Sequence, residues 1–391
     1  MTANNVDLLL VLGYFRSATA YLSVIRHLSP QLSIAVLPSL ASQSLRSKTG
    51  EAEDLFLRLC GEFGARIITH DQRVQATLAV VQQFAYQPDL AASLDRRISA
   101  KRRTGLLGLA YAGLEKHDEF LKQFGIRKAY TPSRRFTEFL LQRRGAGHRY
   151  SGVEIEEVGL PFEKYPVFPD FEVDWLIAAP TIFSFSTERD KQTFLQTVLD
   201  LLEQIPDEDV VAYKPHNGNV LDYFAPRLHY PIAALADTFS GASERLQQLA
   251  DRAPAPVRRH LAKTITSMLH RRVLRRAVRM SALTPYADIS IEAFLPGVRK
   301  GVIGGLSNTI WGALYSRVPY YNCVNRPAGP AKASELVNKT SDALLDLNLE
   351  YFGVPFCEGD PSKGSRGEAI VLESDRQGDL LQAIARDLRT A

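Results

Sequence analysis

VDLLLVLGYFRSATAYLSVIRHLSPQLSIAVL (Val6–Leu37) is the stretch whose reading decides the fold. Its first seven residues, Val6–Leu12, are nearly all apolar, the pattern of a short strand buried on both faces. Gly13 ends the run, and Ser17 is placed to cap a helix that continues to about Leu28. Leu32–Leu37 (LSIAVL) is a second strand. Strand, helix and strand in close succession predict a parallel, doubly wound sheet.

The alternation continues in both directions of the argument. Glu51–Phe63 has helical periodicity, with Leu55, Leu59 and Phe63 on one face, and Ala65–Thr69 (ARIIT) is a third strand. Residues from about Leu90 to Phe124 read as helix-rich. Arg127–Thr131 and Gly152–Val158 are further strands around a helix from Ser133 to Arg144. Gly159–Phe171 (GLPFEKYPVFPDF) holds three prolines and little periodicity, which suits a linker, set at 159–173. A second α/β unit follows. Its strands are Asp174–Ala179, Val210–Tyr213, Val302–Gly304 and Pro319–Val324, with helices at Glu188–Ile205 and Ile310–Tyr315. Asp375–Arg389 is amphipathic and helical.

The expected architecture is therefore α/β and of the GT-B type: two Rossmann-like domains facing a cleft, over 1–158 and 174–374, with a C-terminal helix in 375–391 crossing back. The chain has 391 residues, ample for two cores. Its 47 basic and 43 acidic residues leave a net charge of +4, too balanced for a dedicated nucleic-acid binder. Cys60, Cys323 and Cys357 show no metal or disulfide spacing and suit a reducing compartment. No run approaches the roughly 20 apolar residues of a membrane span. The expected location is cytoplasmic, at most peripheral on the inner membrane face.

One segment departs from the balanced charge. An insertion over 224–280 ends in VRRHLAKTITSMLHRRVLRRAVRM (Val257–Met280), with eight Lys or Arg and no acid. Val257, Leu261, Ile265, Leu269 and Val273 share a helix stripe, as in a basic amphipathic helix lying on an anionic membrane surface near a lipid-linked acceptor. The same pattern also suits a solvated helix packed on its own domain by the apolar side.

Three segments carry chemistry. Lys214-Pro215-His216-Asn217 follows a strand directly, and ligands of open α/β sheets bind beyond the carboxyl ends of strands. Lys214 and His216 there offer donors to a phosphate, and Pro215 holds Lys214 extended. A plain surface turn fits the triplet equally well. Gly304-Gly305-Leu306-Ser307-Asn308-Thr309 precedes a helix; the glycines permit close backbone approach, and Ser307, Asn308 or Thr309 caps a helix whose free N–H groups face an anion. The alternative is a cap that serves stability alone. Glu292, in DISIEAFLP, lies just before that strand, where a carboxylate can accept from ribose hydroxyls; a helix-surface glutamate is the alternative.

In this order, strand–Lys-Pro-His, then Ser290-Ile291-Glu292 with Leu295-Pro296 close behind, then strand–Gly-x-x-Ser-x-Thr–helix, residues 174–325 resemble the C-terminal domain of bacterial GT-B sialyl- and polysialyltransferases, and of the related Kdo transferases of capsule and lipopolysaccharide synthesis. Phe352-Gly353-Val354-Pro355-Phe356 adds an echo, and the N-terminal half matches only by fold type. The resemblance implies a CMP-activated acidic sugar as donor. It implies Lys214, His216 and Asn217 at the donor phosphate, Glu292 on the ribose or cytosine, and Gly305, Ser307, Asn308 and Thr309 binding the phosphate at a helix start. Two departures stand out. The family motif is commonly His-Pro, where this chain has Pro215 before His216, and paired hydroxyl residues are here Ser307-Asn308-Thr309.

The implied reaction passes through an oxocarbenium-like state while negative charge gathers on the leaving phosphate, which Lys214 and a helix N-terminus stabilise and His216 binds or protonates. An inverting transfer needs a base from the N-terminal domain. Asp71, after strand ARIIT, is favoured over Glu115, His117 and Asp118 of GLEKHDEF. Gly13, Arg16 and Ser17 follow the first strand on the acceptor side, with His117. No metal motif and no G-x-G-x-x-G is present, so the expectation is a metal-independent enzyme with no cofactor beyond its nucleotide-sugar substrate. Its partners are that donor and a glycan or lipid-linked glycan acceptor. Competing readings are a CDP-polyol phosphotransferase, a UDP-sugar epimerase, and a non-enzymatic, membrane-bound assembly protein of polysaccharide export.

Overall fold

The structure is a computed structural model. It describes residues 4–12, 19–38, 54–69, 72–82, 88–107, 121–131, 153–178, 205–206, 208–214, 281–282, 286, 289–304, 313, 316, 318–322 and 378–391.

Two parallel sheets organise the chain. The first contains β1 (Asn4–Leu12), β2 (Ile34–Pro38), β3 (Arg66–Ile67), β4 (Val74–Gln82), β5 (Ile98–Leu106), β6 (Lys128–Thr131) and β7 (Glu154–Glu157), in the order β3-β2-β1-β4-β5-β6-β7. The second contains β8 (Val173–Ala178), β9 (Val211–Lys214), β10 (Ser281–Ala282), β11 (Val298–Gly304) and β12 (Tyr320–Asn322), in the order β10-β9-β8-β11-β12. Every pairing in both sheets is parallel. Each sheet starts at an inner strand, grows one way, then returns to the other side of that strand. Both are Rossmann-like, so the α/β class with two such units stands as read from sequence.

Leu8 to Leu12 are fully buried, as a strand covered on both faces requires. Asp7 interrupts the apolar run without penalty: its Oδ2 accepts from Ser33 N and Oγ at 2.8 and 2.7 Å, which pins β1 beside β2. Helix α1 (Thr19–Leu28) packs onto this sheet, and the buried Tyr21 hydroxyl donates to Val80 O at 3.0 Å. Helices α2 (Asp54–Glu62) and α3 (Pro88–Asp95) join successive strands.

The expectation of a helix-rich segment over 90–124 is corrected. Helix α3 ends at Asp95, and Ile98–Leu106 is a full strand between β4 and β6. The sequence Ile-Ser-Ala-Lys-Arg-Arg-Thr-Gly-Leu hides it, because three consecutive cations break the apolar signature. They are tolerated for two reasons: Arg103 pairs with Asp95 and Arg102 lies 3.8 Å from Asp387, while Lys101 is exposed to solvent. Strand β4 was also not anticipated.

The chain divides into two compact units. The first is Met1–Pro169 with Asp288–Pro296 and Val371–Ala391; the second is Asp170–Ala287 with Gly297–Ile370. Residues 159–169, part of the expected inter-domain linker, group with the first unit: Ser23 Oγ donates to Tyr165 O at 2.8 Å and Arg26 Nη1 to Val167 O at 2.8 Å.

Helix α4 (Leu380–Arg389) completes the first unit. Its cap Asp379 accepts from Leu381 N and Gln382 N, and its second carboxylate oxygen accepts from Lys164 Nζ and Tyr165 OH, each at 3.1 Å. Further along, the buried Asp387 accepts from Lys128 Nζ at 2.8 Å and Tyr130 OH at 2.6 Å. Lys128 also pairs with Glu156 at 2.7 Å, and Arg386 pairs with Glu156. The helices expected over 133–144, 188–205 and within 224–280 lie outside the described residues, as does 310–315 apart from Ala313.

Candidate functional site

In the second sheet the strand order reverses between β8 and β11, since β9 and β10 lie on one side of β8, and β11 and β12 on the other. Such a reversal parts the loops at the carboxyl ends and opens a crevice that takes ligands. The register places three residues level there. Ala178 pairs with Lys214 on one side and with Gly304 on the other, and each is the last residue of its strand. The strands that lead into the Lys-Pro-His and Gly-Gly-Leu-Ser-Asn-Thr segments therefore run out at one edge, about 10 Å apart across β8. Lys214 is only 5% exposed. Gly304 is required as glycine: a Cβ there would lie 2.5 Å from the Tyr320 hydroxyl and 2.9 Å from Ala178 O. His216, Asn217, Gly305, Ser307, Asn308 and Thr309 lie outside the described residues.

The opposite end of this sheet is closed by charge pairing. Arg299 pairs with Asp174 at 3.3 Å, Lys300 with Asp209 at 2.5 Å, and Trp175 Nε1 donates to Asp209 at 2.8 Å. Asp174 and Asp209 thus serve the fold at the amino ends of the strands.

Glu292 was expected in the donor domain, but Asp288–Pro296 groups with the first unit. Ser290 N donates to Thr19 Oγ1 at 2.9 Å, at the first residue of α1. Phe294 stacks on Phe168 with ring centroids 4.8 Å apart. Glu292 itself is 5% exposed in a short 3-10 turn, Ile291–Ala293. Its chain position, between Lys214 and Gly304, suggested the second unit; an excursion back to the first leaves no mark in the order of motifs. Because α1 starts where β1 runs out, Glu292 lies near the carboxyl edge of the first sheet.

That edge has its own reversal, between β1 and β4. Gln82, fully buried, ends β4 there and was not singled out from sequence. Gly13, Arg16 and Ser17, which follow β1, lie outside the described residues, as do Asp71 and His117. The residues flanking His70-Asp71 are informative. Arg97, just before β5, donates to Thr69 O and to Gln72 O, and Val74 N donates to Arg97 O. Thr69 and Gln72 are thus tied to the amino ends of β4 and β5, away from the ligand edge. Strand β3 spans only Arg66–Ile67, and the chain turns back at once. The connection that contains His117 leaves the carboxyl end of β5 instead, after Leu106.

Among the described residues no group of three or more His, Cys, Asp or Glu is placed to hold a metal ion, and no helix is long and apolar enough to cross a membrane. No protein family matches the chain, and no curated protein matches it. Solved structures resemble it at low identity. A UDP-GlcNAc 2-epimerase of Methanocaldococcus jannaschii, solved with UDP-GlcNAc and UDP, is 10% identical over 80% of this chain and 83% of its own, with a TM-score of 0.38. A glycosyltransferase of Rickettsia africae is 9% identical over 100% and 94%, with a TM-score of 0.34. An α,α-trehalose-phosphate synthase (UDP-forming) of Burkholderia vietnamiensis is 11% identical over all of both chains, with a TM-score of 0.39.

Proposed function

We propose that this protein is a glycosyltransferase that moves a sugar from a nucleotide-activated donor, bound at the carboxyl edge of the second sheet, to a glycan acceptor. The observation that carries this reading is the level ending of β9, β8 and β11 at Lys214, Ala178 and Gly304, beside the reversal of strand order. Lys214 ends its strand on one side of β8 and Gly304 ends its strand on the other, which suits an anion held between them. A phosphate held this way leaves readily, because a preformed cation and backbone N–H groups meet the charge that develops on it. The resemblance of the motifs favours a CMP-activated acidic sugar, with His216 binding or protonating the leaving phosphate.

For the base on the acceptor hydroxyl we favour His117 over Asp71. Its connection leaves the ligand edge of the first sheet, whereas the neighbours of Asp71 are tied to the far edge. No resident metal or cofactor enters this scheme.

The test is calorimetric titration with CMP, CDP and UDP. At least one binds the wild-type protein, and Lys214→Met weakens that binding about tenfold or more through loss of a charge-assisted contact. If none of the three binds the wild type, the reading is wrong.

A further inference from the structure

We infer that the Tyr320 hydroxyl is a ligand-binding group of the second unit, delivered to the crevice through the gap that Gly304 leaves, where it donates to the phosphate of a bound nucleotide.

Tyr320 opens β12, the strand beyond β11, and pairs in register with Val302. Its side chain therefore stands on the same face as that of Val302, and as the position a side chain would take at Gly304, two residues on. Two residues of strand advance about 6–7 Å, which is the reach of a tyrosine from Cα to hydroxyl. The distances show that the reach is used: the Tyr320 hydroxyl lies 2.5 Å, and its ring carbon Cζ 3.2 Å, from where a Gly304 Cβ would be. The ring thus runs along the strand direction, towards the carboxyl edge. Ala178 O lies 2.9 Å from the same point. Ala178 ends β8 and Gly304 ends β11, so the hydroxyl arrives at the seam where the strand order reverses.

Any residue but glycine at 304 would bar this path. The close approach by itself explains the glycine at 304. Tyr320 is half-buried. A phenol is neutral at physiological pH and both donates and accepts. On the far side of Ala178 stands Lys214, a point charge. The two would hold a phosphate from opposite sides of β8, the cation neutralising it and the phenol fixing its orientation.

This inference rests on the nucleotide reading above, and the experiment separates the two. Tyr320→Phe keeps the ring and its packing and removes only the hydroxyl. Wild type, Tyr320→Phe and Lys214→Met are titrated with CMP, CDP and UDP, and with cytidine and uridine; thermal unfolding midpoints verify folding. The expected result is a loss of about tenfold in nucleotide affinity for Tyr320→Phe, the worth of a hydrogen bond to a charged group, with nucleoside affinity and unfolding midpoint unchanged. Nucleotide affinity unchanged in Tyr320→Phe but reduced in Lys214→Met overturns this inference and leaves the function standing. An equal loss for nucleotide and nucleoside also overturns it, since the hydroxyl would then serve the base or sugar. A wild type that binds no nucleotide overturns both.

Discussion

Asp387 shows how much one side chain can hold. It lies in the last turn of α4, buried, and receives hydrogen bonds from Lys128 and Tyr130 on β6. Removing it leaves a buried ammonium with Glu156 at 2.7 Å and the exposed Glu154 at 3.7 Å. Breaking a buried pair from one side costs about 3–5 kcal/mol, and the remaining carboxylate puts Asp387→Ala at about 3 kcal/mol, measured by urea unfolding. Gly378 acts by being small. A Cβ there would lie 2.0 Å from Glu157 O and 2.5 Å from Val158 Cα, both backbone. The strand or the helix entry must then move, so Gly378→Ala lowers stability by about 1–3 kcal/mol in the same measurement. Sequence reading missed both residues, as well as Gln82 and Tyr320, because each matters through a partner far along the chain. The place of Lys214 at a strand end was legible because strand and motif are contiguous; the burial of Glu292 and the unit it joins were not.

Among elements, α4 is defined by its two ends. Asp379 caps the first turn and also ties it to Lys164 and Tyr165 in the segment after β7. Asp379→Ala loses a cap worth about 1 kcal/mol together with both tethers. Hydrogen exchange should rise first in the amides of Leu381 and Gln382, with the Asp387 end still protected. Helix α4 was plain in the sequence, since its apolar stripe is regular and its cap conventional. Strands β4 and β5 were not. The run Val74–Gln82 lies in the gap between the third strand and the helix-rich segment that sequence reading assigned, and the arginines of β5 disguised an inner strand.

For the whole molecule, the anchoring charges set a pH window. Burial raises the carboxyls of Asp387 and Glu156, but hydrogen bonds from Lys128, Tyr130 and Arg386 outweigh it and hold both below the usual range. Burial likewise opposes Asp379, and the Gln382 amide with Lys164 and Tyr165 brings it down. Carboxyls depressed on folding stabilise above their unfolded value, roughly pH 4, and that contribution fades as pH falls through the folded values. Burial lowers Lys128, yet Asp387 and Glu156 raise it overall, so its share is complete below about pH 10.4 and is lost at higher pH. Unfolding free energy should plateau between about pH 5 and 10 and drop on the acid side. In Asp387→Asn the acid drop should be shallower, a difference that urea titrations from pH 3 to 8 read directly.

The first unit draws on residues 288–296 and 371–391, both made after most or all of the second unit. A ribosome therefore cannot finish the beginning of this protein until it has nearly reached α4. Domains made in strict succession fold in turn as they emerge. Here the opening sheet waits, its Lys128 lacking Asp387, for a helix whose partner residue lies 259 positions further along, so its native closure follows the synthesis of the second unit.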